Sequence, residues 1–150
     1  MLFMKAELAS IGRAVARCLS KRLEIQAAYI FGSVATGRMR PDSDVDVAVL
    51  IARRARRADT LKYRLTLMAD LGSALGRSDV EVVLLGEAPA LLAHRILSQG
   101  TLVYERSRSA RVTFQVATAS RYLDLIPMLE THMQYLKKRV REGRIVICRW

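Results

Sequence analysis

The chain has 150 residues, 51% of them apolar, which is enough for one domain with a hydrophobic core and argues against global disorder. No apolar run reaches the length of a membrane-spanning helix, and the acidic-containing start Met1-Leu2-Phe3-Met4-Lys5-Ala6-Glu7 is unlike a secretory signal, so a cytoplasmic protein is expected. Net charge is +11, and +7 of it falls between Arg106 and Trp150, so the basic tail either meets an acidic partner, protein or nucleic acid, or is a solvated helix face.

The first predicted element is a helix over residues 2–19. Met4, Leu8, Ile11, Val15 and Cys18 recur at spacings of three and four, with Arg13, Arg17 and Lys21 off that stripe. A strand follows over Ala27–Phe31. Gly32 can take a turn that a Cβ would resist and lets a ligand approach the backbone. Ser33 is a suitable N-cap for a short helix Val34–Thr36, whose free N–H groups would bind phosphate. Gly37 is a joint, and Pro41 sets the approach to the next strand. Arg38 and Arg40 in this loop are candidates for holding a triphosphate, or simply solvent-exposed.

The second strand, Asp44–Ile51, carries the chemistry. Residues i and i+2 of a strand share a face, so Asp44 and Asp46 project side by side, with Val45, Val47 and Val49 opposite. Two carboxylates at ~4 Å repel by roughly 4 kcal/mol at an effective dielectric of about 20, so water or a cation must sit on them. Hard oxygen ligands favour magnesium. A phosphate-binding turn thus faces a metal-binding pair across one loop. Ala48, Val49, Leu50 and Ile51 are continuously apolar, which predicts burial on both faces of the strand's far end.

Arg53-Arg54-Ala55-Arg56-Arg57 reads as a solvated turn, with binding of an acidic partner as the alternative. Asp59 is the expected N-cap of a helix to about Leu75, with Leu61, Leu65, Met68, Leu71 and Leu75 as its apolar stripe and Gly76 as its stop. Val80–Leu85 is a third strand. Pro89 can start a helix that runs to Gly100 and bears His94, which has no second ligand at metal spacing. Thr101–Tyr104 is a short last strand. A helix from about Ser109 to Arg141 presents Phe114, Tyr122, Leu125, Ile126 and Leu129, then Met133, Leu136 and Val140; Pro127 should break or kink it near Leu123–Leu125. His132 reads as a surface residue. The end, Ile145-Val146-Ile147, has no assigned role, and Cys18 and Cys148 have neither metal nor redox spacing.

Gly32-Ser33, ten residues, then Asp44-x-Asp46 resembles the signature of the polymerase-β-type nucleotidyltransferases. The short length and flanking sequence are similar to the minimal nucleotidyltransferases (MNT), antitoxins paired with HEPN-family toxins. The resemblance covers about residues 24–106. It implies an α/β (α+β) fold, a small mixed sheet of about four strands flanked by helices, in a single domain over 1–150 with a C-terminal helical arm at about 107–142. It also implies a third carboxylate on a neighbouring strand. Glu81 falls where such proteins usually have Asp, a departure that adds one methylene; Asp79 is the fallback on the same face.

The activity implied by this resemblance is transfer of AMP from ATP to a tyrosine hydroxyl of a cognate HEPN ribonuclease toxin. Asp44, Asp46 and Glu81 would be catalytic and would bind two magnesium ions, and Gly32, Ser33 and Arg38 would hold the nucleotide. Three other readings stay open. One is an antitoxin that acts by binding alone. A second is a small-molecule transferase of the aminoglycoside type, which the basic chain disfavours because a polycation needs acidic walls. The third is direct nucleic-acid binding, which rests on charge alone, since no aromatic-rich RNA-binding motif is present.

Overall fold

Residues 2–37, 43–55 and 59–144 are described in a computed structural model. In order they form α1 (Leu2–Leu19), β1 (Ile25–Phe31), β2 (Val45–Ile51), a 3-10 turn (Arg53–Ala55), α2 (Thr60–Leu75), β3 (Val80–Leu84), α3 (Ala90–Gln99), β4 (Thr101–Glu105) and α4 (Arg108–Arg141). The four strands make one sheet in the order β3-β2-β1-β4. β1 runs antiparallel to both β2 and β4, while β2 and β3 are parallel. A parallel pair needs a long crossover, and α2 supplies it. This is the mixed α/β architecture with flanking helices that the sequence implied. Among the described residues no helix is long and apolar enough to cross a membrane.

Strand alternation sends the core to both sides of the sheet. On one side Ala28, Ile30, Val45, Val47, Val49, Val80 and Val82 meet Ile11, Val15 and Leu19 of α1 and Tyr63, Leu67 and Leu71 of α2. On the other, Ala27, Tyr29, Ala48 and Leu50 meet Ala93 and Ile96 of α3, with Phe114 of α4 packed against them. Every one of Val45, Val47 and Val49 is fully buried, as the alternation predicts.

The helix ends follow their sequence signals. The Asp59 carboxylate accepts the Lys62 N–H at 2.9 Å. Gly76 closes α2 in the left-handed region, φ 64°. The Ser107 hydroxyl accepts the Ala110 N–H at 3.1 Å at the start of α4.

Three expectations are corrected. Val34–Thr36 is not a helix. It lies between Gly32 and Gly37, both at positive φ, and closes a single turn in which the Thr36 N–H donates to the Gly32 carbonyl at 3.2 Å. Two left-handed glycines leave no room for a second turn. In α2 the buried line is Tyr63, Leu67 and Leu71, whereas Leu61 and Leu65 are exposed. The expected stripe holds at Leu71, which is buried, and at Met68 and Leu75, which pack on the core; Tyr63 and Leu67 take the places expected of Leu61 and Leu65, and the Tyr63 ring is covered while its hydroxyl donates to Glu24 Oε1 at 2.9 Å. Finally, α4 is not broken at Pro127 but continues through it as one helix. The carbonyl that loses its partner is that of Leu123, on an exposed stretch where water can take the bond. Arg38, Arg40, Pro41, Arg56, Arg57, Ile145-Val146-Ile147 and Cys148 lie outside the described residues.

Candidate active site

The site forms where β1 ends and β2 begins. Phe31 pairs with Asp46 across the antiparallel ladder, and Asp46 pairs with Glu81 across the parallel one. Register therefore sets Asp46 between the β1 exit and Glu81, with Glu81 directly beside it on the same face. Asp44 comes two residues earlier, just before β2 starts. Asp46 is half-buried, while Asp44 and Glu81 are exposed. The acids lie on the sheet face that also carries Ala48 and Leu50, the face covered by α3 and α4.

Gly32 touches this group directly. A Cβ at Gly32 would come within 2.3 Å of Asp46 Oδ2, and its φ of 75° is one that side chains resist. The glycine is thus required both by the turn and by the carboxylate it abuts. Ser33 follows it, half-buried in the same turn.

The electrostatics at Asp46 are those of crowded acids. Burial raises the Asp46 pKa above the ordinary carboxylate value, and the neighbouring charges of Asp44 and Glu81 raise it further. Asp79 has the opposite environment. Arg77 Nε donates to Asp79 Oδ1 at 2.8 Å and Nη2 to Oδ2 at 2.7 Å, and this paired guanidinium lowers the Asp79 pKa. Of the two candidates for a third carboxylate, Glu81 stands beside Asp46 and Asp79 is engaged by Arg77. The sequence reading missed Arg77; Arg-x-Asp after a helix-ending glycine was its only local signal.

Among the described residues no three His, Cys, Asp or Glu side chains are gathered closely enough to hold a metal ion as they stand. The donor set nevertheless suits a hard divalent cation. Asp44, Asp46 and Glu81 offer only carboxylate oxygens, and the missing Cβ of Gly32 lets Asp46 Oδ2 lie against the turn. The His94 ring stacks on Tyr122 of α4, with centroids 3.7 Å apart and planes nearly parallel. His132 is exposed on α4. Cys18 is half-buried against the core, where burial pushes its thiol pKa up.

Comparison with known proteins gives the family and the fold. Residues 14–109 match the family model described as polymerase beta, nucleotidyltransferase. The protein adenylyltransferase MntA of Shewanella oneidensis is 36% identical over 104 residues, covering 68% of this chain and 69% of that protein. A solved toxin–antitoxin structure with AMP-PNP superposes with a TM-score of 0.70 at 28% identity, over 84% of this chain and 98% of that one. A complex of tri-AMPylated Shewanella oneidensis HEPN toxin with MNT antitoxin gives a TM-score of 0.67 at 25% identity, over 87% and 98%. With a family match over residues 14–109 and acids in register on adjacent strands, the chain belongs to the polymerase β nucleotidyltransferase family.

Proposed function

We propose that this protein is an antitoxin that transfers AMP from ATP to a tyrosine hydroxyl of a cognate HEPN ribonuclease toxin. The observation that carries the reading is the Asp46–Glu81 register pair, with Asp44 beside it and Gly32 against it. The likeness to MntA supports the reaction, and the likeness to complexes with AMP-PNP and with an AMPylated HEPN toxin supports donor and acceptor.

Asp44, Asp46 and Glu81 would hold two magnesium ions. Bound magnesium neutralises the triphosphate and lowers the pKa of the attacking hydroxyl. Glu81 accepts the phenolic proton as the tyrosine oxygen bonds to the α-phosphorus. The bond from that phosphorus to the bridging oxygen breaks, and pyrophosphate leaves. Ser33 and the backbone of the Gly32 turn position the β- and γ-phosphates, with Arg38 as a further phosphate contact. The protein's part is placement and charge balance, with no covalent enzyme intermediate.

The acceptor needs a docking surface, and α4 is suited to be one. Val116, Leu123, Met128, Met133 and Tyr135 are exposed along it, and Lys138, Arg139 and Arg141 crowd its last turn. Apolar side chains unclaimed by the chain's own core, next to a cationic end, fit an acidic protein partner.

The test is label transfer from α-labelled ATP to the co-expressed toxin. Asp44→Ala with Asp46→Ala should abolish it while the complex still forms. Transfer that persists in the double variant refutes the site. A wild-type protein that silences the toxin without ever transferring label is an antitoxin by binding alone.

A further inference from the structure

We infer that Arg77 is a positioning residue of the site, tying the entrance of β3 to the entrance of β2 so that Asp44 is held beside Asp46. The inference rests on Asp44 and Asp46 being the metal-holding pair.

Asp44 lies one residue outside the strand, so the β2–β3 ladder reaches only its neighbour Val45. Among the described residues, bonds to Arg77 and to Asp79 flank Asp44 on both sides. The residue before it is gripped by side chain: Arg77 Nη2 donates to the Ser43 carbonyl at 2.7 Å. The residue after it is gripped by backbone: the Val45 N–H donates to the Asp79 carbonyl at 2.9 Å. The same guanidinium holds the Asp79 carboxylate through two bonds, so the two grips are coupled.

Arg77 is itself anchored. After the left-handed Gly76, the Arg77 N–H donates to the Gly72 carbonyl at 2.9 Å, the closing bond of the helix end. Gly72 has to be a glycine for this closure, because a Cβ there would come within 2.7 Å of the Arg77 carbonyl. A fixed backbone thus launches a planar fork whose donors satisfy two acceptors from two segments. A lysine, with a point charge on a flexible stem, cannot reproduce that fork. Residues that orient metal ligands from behind commonly matter to affinity without touching the ion.

Mn2+ binding to the full-length, nucleotide-free protein, read by electron paramagnetic resonance, tests this separately from turnover. Arg77→Met should weaken Mn2+ binding about tenfold, as losses behind a ligand do. Arg77→Lys should recover part of the loss, and far-UV circular dichroism should stay that of the wild type. If both variants bind Mn2+ within twofold of wild type, or lose affinity only in proportion to unfolded protein, the inference is overturned. If Arg77→Met does not fold, Arg77→Lys decides alone, since it must still bind more weakly than wild type. If the wild type binds no Mn2+, or Asp44→Ala with Asp46→Ala binds as tightly as wild type, the metal-site reading itself has failed, and Arg77 loses its role with it.

Discussion

Asp46 carries a conflict between folding and function. It sits half-buried between two other acids with a glycine against its oxygen, and its pKa is raised by burial and by those charges. A carboxyl whose folded pKa exceeds its unfolded one binds more protons folded than unfolded between the two values. Stability therefore falls as pH rises through that window, and the cost persists above it. Asp46→Asn removes the charge and should raise the melting temperature of the metal-free protein at pH 7. The gain should shrink as pH falls to the ordinary carboxylate range, and AMP transfer should be lost throughout. Thermal melts of both proteins at pH 4 and pH 7 check this. An Asn variant no more stable than wild type at pH 7 would mean the three acids are not crowded in solution.

At the scale of elements, α4 is held mainly through its first half. Thr118 is fully buried, Phe114 packs on the second core and Tyr122 stacks on His94 of α3. Beyond Pro127 most positions are exposed. At 34 residues the helix is about 50 Å long, so it extends well past its anchor. Tyr122→Ala removes the stack as well as buried ring area, and an aromatic pair contributes roughly 0.5–1.5 kcal/mol beyond area. The variant should lower stability in urea by at least about 1 kcal/mol. Amide exchange should speed up in residues 108–126 more than in β1 and β2.

Signals that act locally were readable in the sequence. Asp59 and Gly76 start and end α2 through their own hydrogen bonds, and valines at every second position of β2 are buried as alternation demands. The Gly32, Asp44 and Asp46 set was readable for the same reason, because one loop and one strand define it. The buried line of α2 was readable only in its second half: Met68, Leu71 and Leu75 face the core as expected, while the sheet beneath chooses Tyr63 and Leu67 over Leu61 and Leu65. Arg77 was hidden because its partner is the carbonyl of Ser43, 34 residues away, and a carbonyl has no sequence identity. Pro127 did not end α4, because the carbonyl it frees lies on an exposed stretch where water can take the bond.

For the whole molecule, charge decides how it meets other molecules. A net +11, weighted to the α4 end, should speed association with an acidic toxin and make it salt-sensitive. Raising ionic strength from 0.05 to 0.5 M, across which the screening length falls from about 14 to about 4 Å, should slow complex formation more than dissociation. Stopped-flow or surface-binding rates would show it. Rates indifferent to salt would place the affinity in the exposed apolar residues of α4 instead.

The strand order has one more outcome. β3 is the outermost strand among the described residues, so Glu81 has Asp46 on one flank and no further strand on the other. With Glu81 in its proposed role as base, an incoming phenol would approach it from the rim of the sheet. Such an entrance suits a side chain borne on a folded protein, which is too large to be swallowed and needs only one margin of the enzyme left bare.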